Sequence, residues 1–219
     1  IGDLVNGLKQ RGVFENTIIL FMSDNGGNAE AGPDGKNEGD PATGKSNWFC
    51  GMSWAFAQNT PFRLFKHYNH EGGIASPLVV HWPKGITAKN ELRDQPSHLI
   101  DIMPTCVELA GARYPETFKD KPITPMEGKS LVGAFGGKPI QRDALYWEHE
   151  GNAAVRAGDF KLVRQGRNAP WELYQIGKDR TELHNLAASE PEKVSELTAL
   201  WEAWAVRARV KPYPPEAKR

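Results

Sequence analysis

The chain has 219 residues, 39% hydrophobic and 25% charged, which are the proportions of a globular chain with a real core and not of a disordered one. Its 27 basic and 27 acidic residues cancel, which argues against a general nucleic-acid or anionic-membrane binder, since both need excess positive charge. No apolar run is long enough to span a bilayer, and two cysteines, Cys50 and Cys106, are too few for a disulfide framework and make no zinc-type pair.

Leu4, Val5 and Leu8 have helical spacing, with Gly12 as a stop. The helix reads as already under way at Ile1, so the missing targeting segment says nothing about compartment. Residues 17–23 form a continuous apolar run bounded by turn residues, the pattern of a fully buried strand in a parallel sheet. Helix followed by buried strand points to α/β architecture. Residues 26–61 read as a long polar loop whose Trp48, Phe49, Trp54 and Phe56 argue for order. A second buried strand is expected over 77–82, and a helix with an apolar face from Leu99 to Ala110, ended by Gly111. Residues 112–142, rich in Pro, Gly and Lys, read as a linker. Short strand-like runs at 144–149, 153–156, 160–163 and 171–175 then predict an antiparallel meander, and a helix over about 191–206 closes the chain. The division is therefore 1–142, part of an α/β domain, and 143–219, a small antiparallel sheet with a C-terminal helix.

Two segments carry chemistry. Asp24-Asn25-Gly26-Gly27 follows the first strand directly, at the strand end where open α/β sheets bind ligands. An adjacent Asp and Asn offer hard oxygens suited to calcium or magnesium, although Asn-Gly is also a turn signal. Arg63 and Lys66 set two cations three residues apart between apolar side chains, a place where an anion is held well; two surface cations on a loop would read the same way.

Ser23-Asp24-Asn25-Gly26 after an apolar strand resembles the downstream metal motif of type I sulfatases. Pro61-x-Arg63-x-x-Lys66, then Glu71-Gly72-Gly73, Pro77-Leu78-Val79-Val80 and Trp82-Pro83, resembles their second sulfate-site segment. Asp101-Ile102-Met103-Pro104-Thr105 and Leu109-Ala110-Gly111 resemble the following helix, and residues 173–187 the turn before the last one. Asn59-Thr60-Pro61-Phe62-Arg63 and Tyr146-Trp147-Glu148-His149-Glu150-Gly151-Asn152 look most like bacterial arylsulfatases.

The resemblance implies an alkaline-phosphatase-like α/β fold. It implies Asp24 and Asn25 as calcium ligands, Lys66 as a catalytic sulfate contact, and Arg63 and Glu71 as supports of the loop. His70 and His149 are expected to bind substrate, an aryl or carbohydrate sulfate ester; His67, His81, His98 and His184 are expected to be structural. Neither Cys50-Gly51-Met52-Ser53-Trp54 nor Cys106-Val107-Glu108-Leu109-Ala110 matches the family's Cys/Ser-x-Pro-x-Arg motif, whose first residue becomes formylglycine. The nucleophile and the other metal ligands are therefore expected in a segment N-terminal to Ile1, with this chain the C-terminal half and inactive by itself. Partners are then the substrate and that missing half, with no nucleic acid and no membrane; the family favours a periplasmic or secreted location. The rival readings are a phosphonate or phosphate ester hydrolase of the same superfamily and a non-catalytic chain that binds sulfated ligands.

Overall fold

The computed structural model describes residues 1–211. These fall into two compact units, Ile1–Phe21 with Leu78–Arg142, and Met22–Pro77 with Asp143–Arg219.

In the first unit, α1 (Gly2–Gln10) runs to Gly12, whose φ of 67° suits a residue without Cβ. A 3-10 turn at Phe14–Asn16 leads into β1 (Ile19–Met22), which pairs with the later strand Leu78–His81 as a two-stranded sheet. The strands expected to be fully buried are not: Phe21 is 53% and Val79 56% exposed, because this small sheet leaves part of each strand's apolar face uncovered among the described residues. The helix expected over 99–110 is a 3-10 turn (Leu99–Asp101) running into an α-helix (Ile102–Leu109) that buries Pro104 and Thr105, while Leu99 and Met103 stay exposed. Buried Asp101 anchors this unit: its carboxylate accepts from Lys129 N and His98 N, both at 2.8 Å, and from Arg142 Nη2 at 2.7 Å. The expected linker 112–142 carries a hairpin (Thr117–Phe118 with Lys121–Pro122) and a short helix (Val132–Phe135) seated by buried Leu131 and Ala134.

In the second unit, the stretch 26–61 read as loop holds a hairpin of β2 (Lys36–Glu38) and β3 (Asn47–Phe49) and α2 (Met52–Asn59), and one turn of helix, α3 (Glu71–Ile74), follows it. With Leu78–His81 (β4) and the 117–122 hairpin (β5, β6) counted, the meander is β7 (Leu145–His149), β8 (Asn152–Ala157), β9 (Phe160–Arg164) and β10 (Glu172–Gln175). It is antiparallel throughout, in the order β10-β9-β8-β7, as expected. The last helix (Pro191–Arg207) lays Leu197, Trp201 and Ala205 on one sheet face, against Ala153, Val155, Leu162 and Leu173. Alternation sends Ala154, Val163 and Tyr174 to the other face, which also holds Lys161 at the position paired with Tyr174. On that face Lys161 meets Glu71 of α3, so Met22–Pro77 joins the C-terminal sheet in one unit and not the α/β segments beside it in sequence. Cys50 and Cys106 are free thiols and both are exposed.

Candidate active site

The two chemistry-bearing segments meet through glycine. Gly26 N donates to Gly73 O at 3.1 Å, and Lys66 N donates to Gly27 O at 2.9 Å. Asn59 closes the join: its Oδ1 accepts from Gly27 N at 2.8 Å and its Nδ2 donates to Leu64 O at 3.0 Å. A Cβ on Gly26 would lie 1.8 Å from Gly72 O, and one on Gly72 would lie 2.1 Å from Leu64 O. Backbone therefore packs on backbone here, and no other residue type fits either position. These contacts bring the Asp24–Gly27 turn beside the Lys66 loop, although 40 residues of chain separate them.

Asp24 is exposed at the end of β1, and Asn25 is half-buried next to it, its Nδ2 donating to Gly26 O at 2.8 Å. An exposed carboxylate and an amide Oδ1 outside that bond are hard oxygen donors, which fits calcium. Two side chains fall short of the roughly 6–8 oxygens the ion takes, so these residues fit as part of a shell. A solvent-open cavity of about 450 Å³ is lined by Asn25, Gly26, Asn59, Phe62, Glu71 and Ser76 among others; neither Asp24 nor Lys66 is in its wall. The Lys66 Nζ is bonded instead to Glu30 Oε2 at 3.0 Å, and that hydrogen bond holds the Glu30 carboxyl below its usual range. Glu30 is exposed and Lys66 partly so, and water screens such a pair, so an anion exchanges for Glu30 at little cost.

Arg63 and Glu71 anchor the Lys66 loop to the sheet. Arg63 Nη1 reaches Glu172 Oε2 at 2.6 Å and Tyr174 Oη at 2.7 Å, and Tyr174 donates to Glu172 at 2.5 Å; the two acceptors alternate onto one face of β10. Burial pushes the Glu172 carboxyl up, but His70 beside it and the bonds from Tyr174 and Arg63 outweigh that and lower it to about 2. Burial and the bond to Glu172 push the Tyr174 hydroxyl up. Glu71 takes Lys161 Nζ at 2.9 Å and Arg180 Nη2 at 3.2 Å, while Lys161 also reaches Glu182 at 2.8 Å. Glu182 in turn accepts from Glu71 N at 2.8 Å. Burial raises Glu71, yet the attraction of Lys161 and Arg180 leaves it below its usual range.

The histidines divide. His70 was expected to bind substrate, but its side chain has no exposed surface, and its Nε2 lies 3.5 Å from Glu172 Oε2. It fills the sheet side of the loop and presents nothing to a ligand in solution. His149, the last residue of β7, is exposed. Its ring stands 5.2 Å, between centroids, from that of His67, which was expected to be structural. Asn59, Glu30 and Lys161 were passed over. A carboxylate 36 residues from its lysine leaves no local pattern to read, and a lysine inside a strand does not by itself name its partners.

The sequence matches two family models: the one described as Sulfatase over residues 1–112, and N-sulphoglucosamine sulphohydrolase, C-terminal, over residues 62–204. An uncharacterized sulfatase of Schizosaccharomyces pombe is 32% identical over 92% of this chain and 40% of its own length. A sulfatase of Formosa agariphila is 30% identical over 85% and 31%, and an arylsulfatase of Klebsiella aerogenes 32% identical over 66% and 33%. The chain thus spans between 31% and 40% of the length of these relatives. Among solved structures, that of Ps i-CgsB superposes with a TM-score of 0.70 at 27% identity, covering 93% of this chain and 40% of that one. The phosphonate monoester hydrolase of Agrobacterium radiobacter gives 0.59 at 22% identity over 95% and 38%, a likeness that shows the fold alone.

Proposed function

This chain belongs to the sulfatase family and carries part of its alkaline-phosphatase-like fold, and from that premise we propose that it is the C-terminal portion of an enzyme hydrolysing sulfate esters. The observation that carries the reading is the backbone join at Gly26, Gly72 and Gly73, which sets the oxygen donors Asp24 and Asn25 beside the Lys66 loop. Asp24 and Asn25 hold calcium in part, and the bound ion supplies positive charge against the sulfate oxygens. Lys66 leaves Glu30 to donate to a sulfate oxygen, opposing the negative charge that grows toward the leaving group. Arg63 and Glu71 keep its loop in register with the sheet. His149 contacts the leaving group and weights the choice between aryl and sugar sulfates. His70 has no place in the binding surface, because it is fully buried.

The formylglycine nucleophile and the remaining metal ligands lie in a segment N-terminal to Ile1. Support comes from the share of the relatives' length spanned and from large apolar side chains left in water, such as Trp54 at 68% and Trp48 at 50% exposure. A sulfate substrate is favoured over a phosphonate because the matching family models and the relatives at 30% identity or more are sulfatases. In the family's usual setting the complete enzyme is periplasmic or secreted; no helix among the described residues is long and apolar enough to cross a membrane.

The test is hydrolysis of 4-nitrophenyl sulfate. The complete protein turns it over, residues 1–219 alone do not, and chelating calcium stops the complete enzyme. Sustained turnover by residues 1–219 alone refutes the division of the site. Faster turnover of a phosphonate monoester than of the sulfate refutes the substrate.

A further inference from the structure

Three ligating side chains converge where the loop after Lys66 meets the β7–β8 turn. One donor atom from each of His67, His149 and Glu150 lies within 4.8 Å of the other two. His67 Nδ1 is 3.4 Å from Glu150 Oε2, and the two imidazoles stand at 80° to each other, edge to face. The backbone is built around this meeting. Asn152 is 3% exposed, and its Nδ2 donates both to His67 O at 3.1 Å and to His149 O at 3.0 Å, while its Oδ1 accepts from Gly166 N at 3.0 Å. A single buried amide thus fastens two histidine backbones that are 82 residues apart in sequence. His67 and Glu150 both hold left-handed backbone, with φ of 91° and 51°, although neither is glycine or asparagine. Such conformations in side-chain-bearing residues gather at ligand sites, where surrounding structure enforces them.

Two imidazoles and one carboxylate form a donor set for a borderline divalent ion. Zinc takes histidine nitrogen and carboxylate oxygen in a tetrahedron and leaves its fourth position to water, whereas calcium and magnesium want oxygen throughout. In a filled tetrahedron of bonds about 2.0–2.1 Å long, ligand atoms stand about 3.3 Å apart. The His67–Glu150 distance is already close to that. The rest closes by side-chain rotation, since the His67 side chain is 35% and that of Glu150 62% exposed, and His149 is exposed too.

We propose that His67, His149 and Glu150 bind one zinc-class divalent cation, with its fourth position open to solvent. The site shares no residue with the oxygen donors Asp24 and Asn25 and takes a different ion. Glu150 supplies the charge, and the His67 nitrogen that now faces it turns its lone pair to the metal. Binding weakens on acidification, because a protonated imidazole has no lone pair to give.

The test is calorimetric titration of the chelator-stripped full chain with Zn2+, and of the variants His149→Ala and Glu150→Gln, with circular dichroism confirming that each is folded. One equivalent of zinc is expected. Each variant should bind it at least about tenfold more weakly, the lower bound seen when even an outer-shell partner is lost. Bound Co2+ should give the intense visible absorption of a tetrahedral site. Carbethoxylation of His67 and His149 in the parent chain, mapped by mass spectrometry, provides a readout that needs no variant, and zinc should slow it at both residues. Variants that bind zinc as the parent does, unchanged carbethoxylation, or displacement of the zinc by an equal concentration of calcium would each overturn the proposal.

Discussion

Replacing Lys161 by methionine tests the anchor beneath the Lys66 loop. The variant keeps the length of the side chain and removes its charge. Lys161 has no exposed surface, and its Nζ lies 2.9 Å from Glu71 and 2.8 Å from Glu182, which are themselves 5% and 1% exposed. Without it Glu71 keeps Arg180 at 3.2 Å, but the Arg180 side chain is 53% exposed and screened by water. The Glu182 carboxylate keeps the Glu71 N–H at 2.8 Å. Removing one partner of a buried ion pair costs about 3–5 kcal/mol, because the other charge stays out of water. That is a large share of a stability of about 5–15 kcal/mol. The variant can relieve the strain by protonating one carboxyl, so the loss should shrink as pH falls. In the parent the Glu71 carboxyl is held down, so its contribution is present at neutral pH and fades on acidification. That fading begins only below the ordinary carboxylate value of 4.5, so between pH 8 and pH 5 it is protonation in the variant that makes the difference between the two smaller. Urea unfolding at the two pH values reads it. Adding Glu182→Gln, which retains an oxygen for the Glu71 N–H, should recover about 0.5–3 kcal/mol as a coupling between neighbours. A loss under about 1 kcal/mol at pH 8, or one that does not depend on pH, would refute the account of the cluster.

Other outcomes follow from the same contacts. Gly26→Ala puts a methyl 1.8 Å from Gly72 O and should cost about 1–3 kcal/mol, whereas Gly7→Ala, in α1 with nothing within 4 Å, should stabilise by about 0.5–1 kcal/mol; thermal midpoints moving in opposite directions check the pair. Glu172 is depressed from 4.5 to about 2, so its contribution is complete above the higher value and lost as pH falls through the lower. Midpoints measured between pH 5 and 2 should therefore fall less steeply in Glu172→Gln than in the parent. In the complete enzyme, Lys66→Ala should lower kcat about 10²–10³-fold with a smaller change in KM, because the charge it meets grows in the transition state; a rise in KM alone would make Lys66 a ground-state binder.

What was legible in the sequence follows how local the determining interaction is. The meander could be read because alternation and glycine punctuation are properties of five-residue windows, and the strands fall within about two residues of the expected bounds. The last helix was legible for the same reason, with Pro191 at its start and Val194, Leu197 and Trp201 at helical spacing. The hairpin and helix inside 26–61 were missed, because three-residue strands such as Lys36–Glu38 bury nothing and leave no periodicity. The strand over 17–23 was correctly placed but wrongly buried: an apolar run reports what a strand is able to bury, not what covers it.

The site residues show the same limit and a reason for it. Asp24, Asn25 and Lys66 stand out locally, as hard oxygens after a strand and a cation among apolar side chains. What positions Lys66 is not local at all. Arg63 ends on Glu172, 109 residues away, and Glu71 on Lys161, 90 residues away, so the loop takes its shape from the face of a sheet that had not been placed beside it. Lys161, which went unremarked, is a charge on a strand face otherwise holding Ala154, Val163 and Tyr174. A lysine there can be buried only with carboxylates to meet it. In this chain the nearest ones are Glu71 and Glu182, flanking residues of the two turns that the sheet must hold. A charge at the centre of an apolar strand is thus a sequence signal that a distant acidic turn docks on that face, and Glu71-Gly72-Gly73 was the acidic turn already in view.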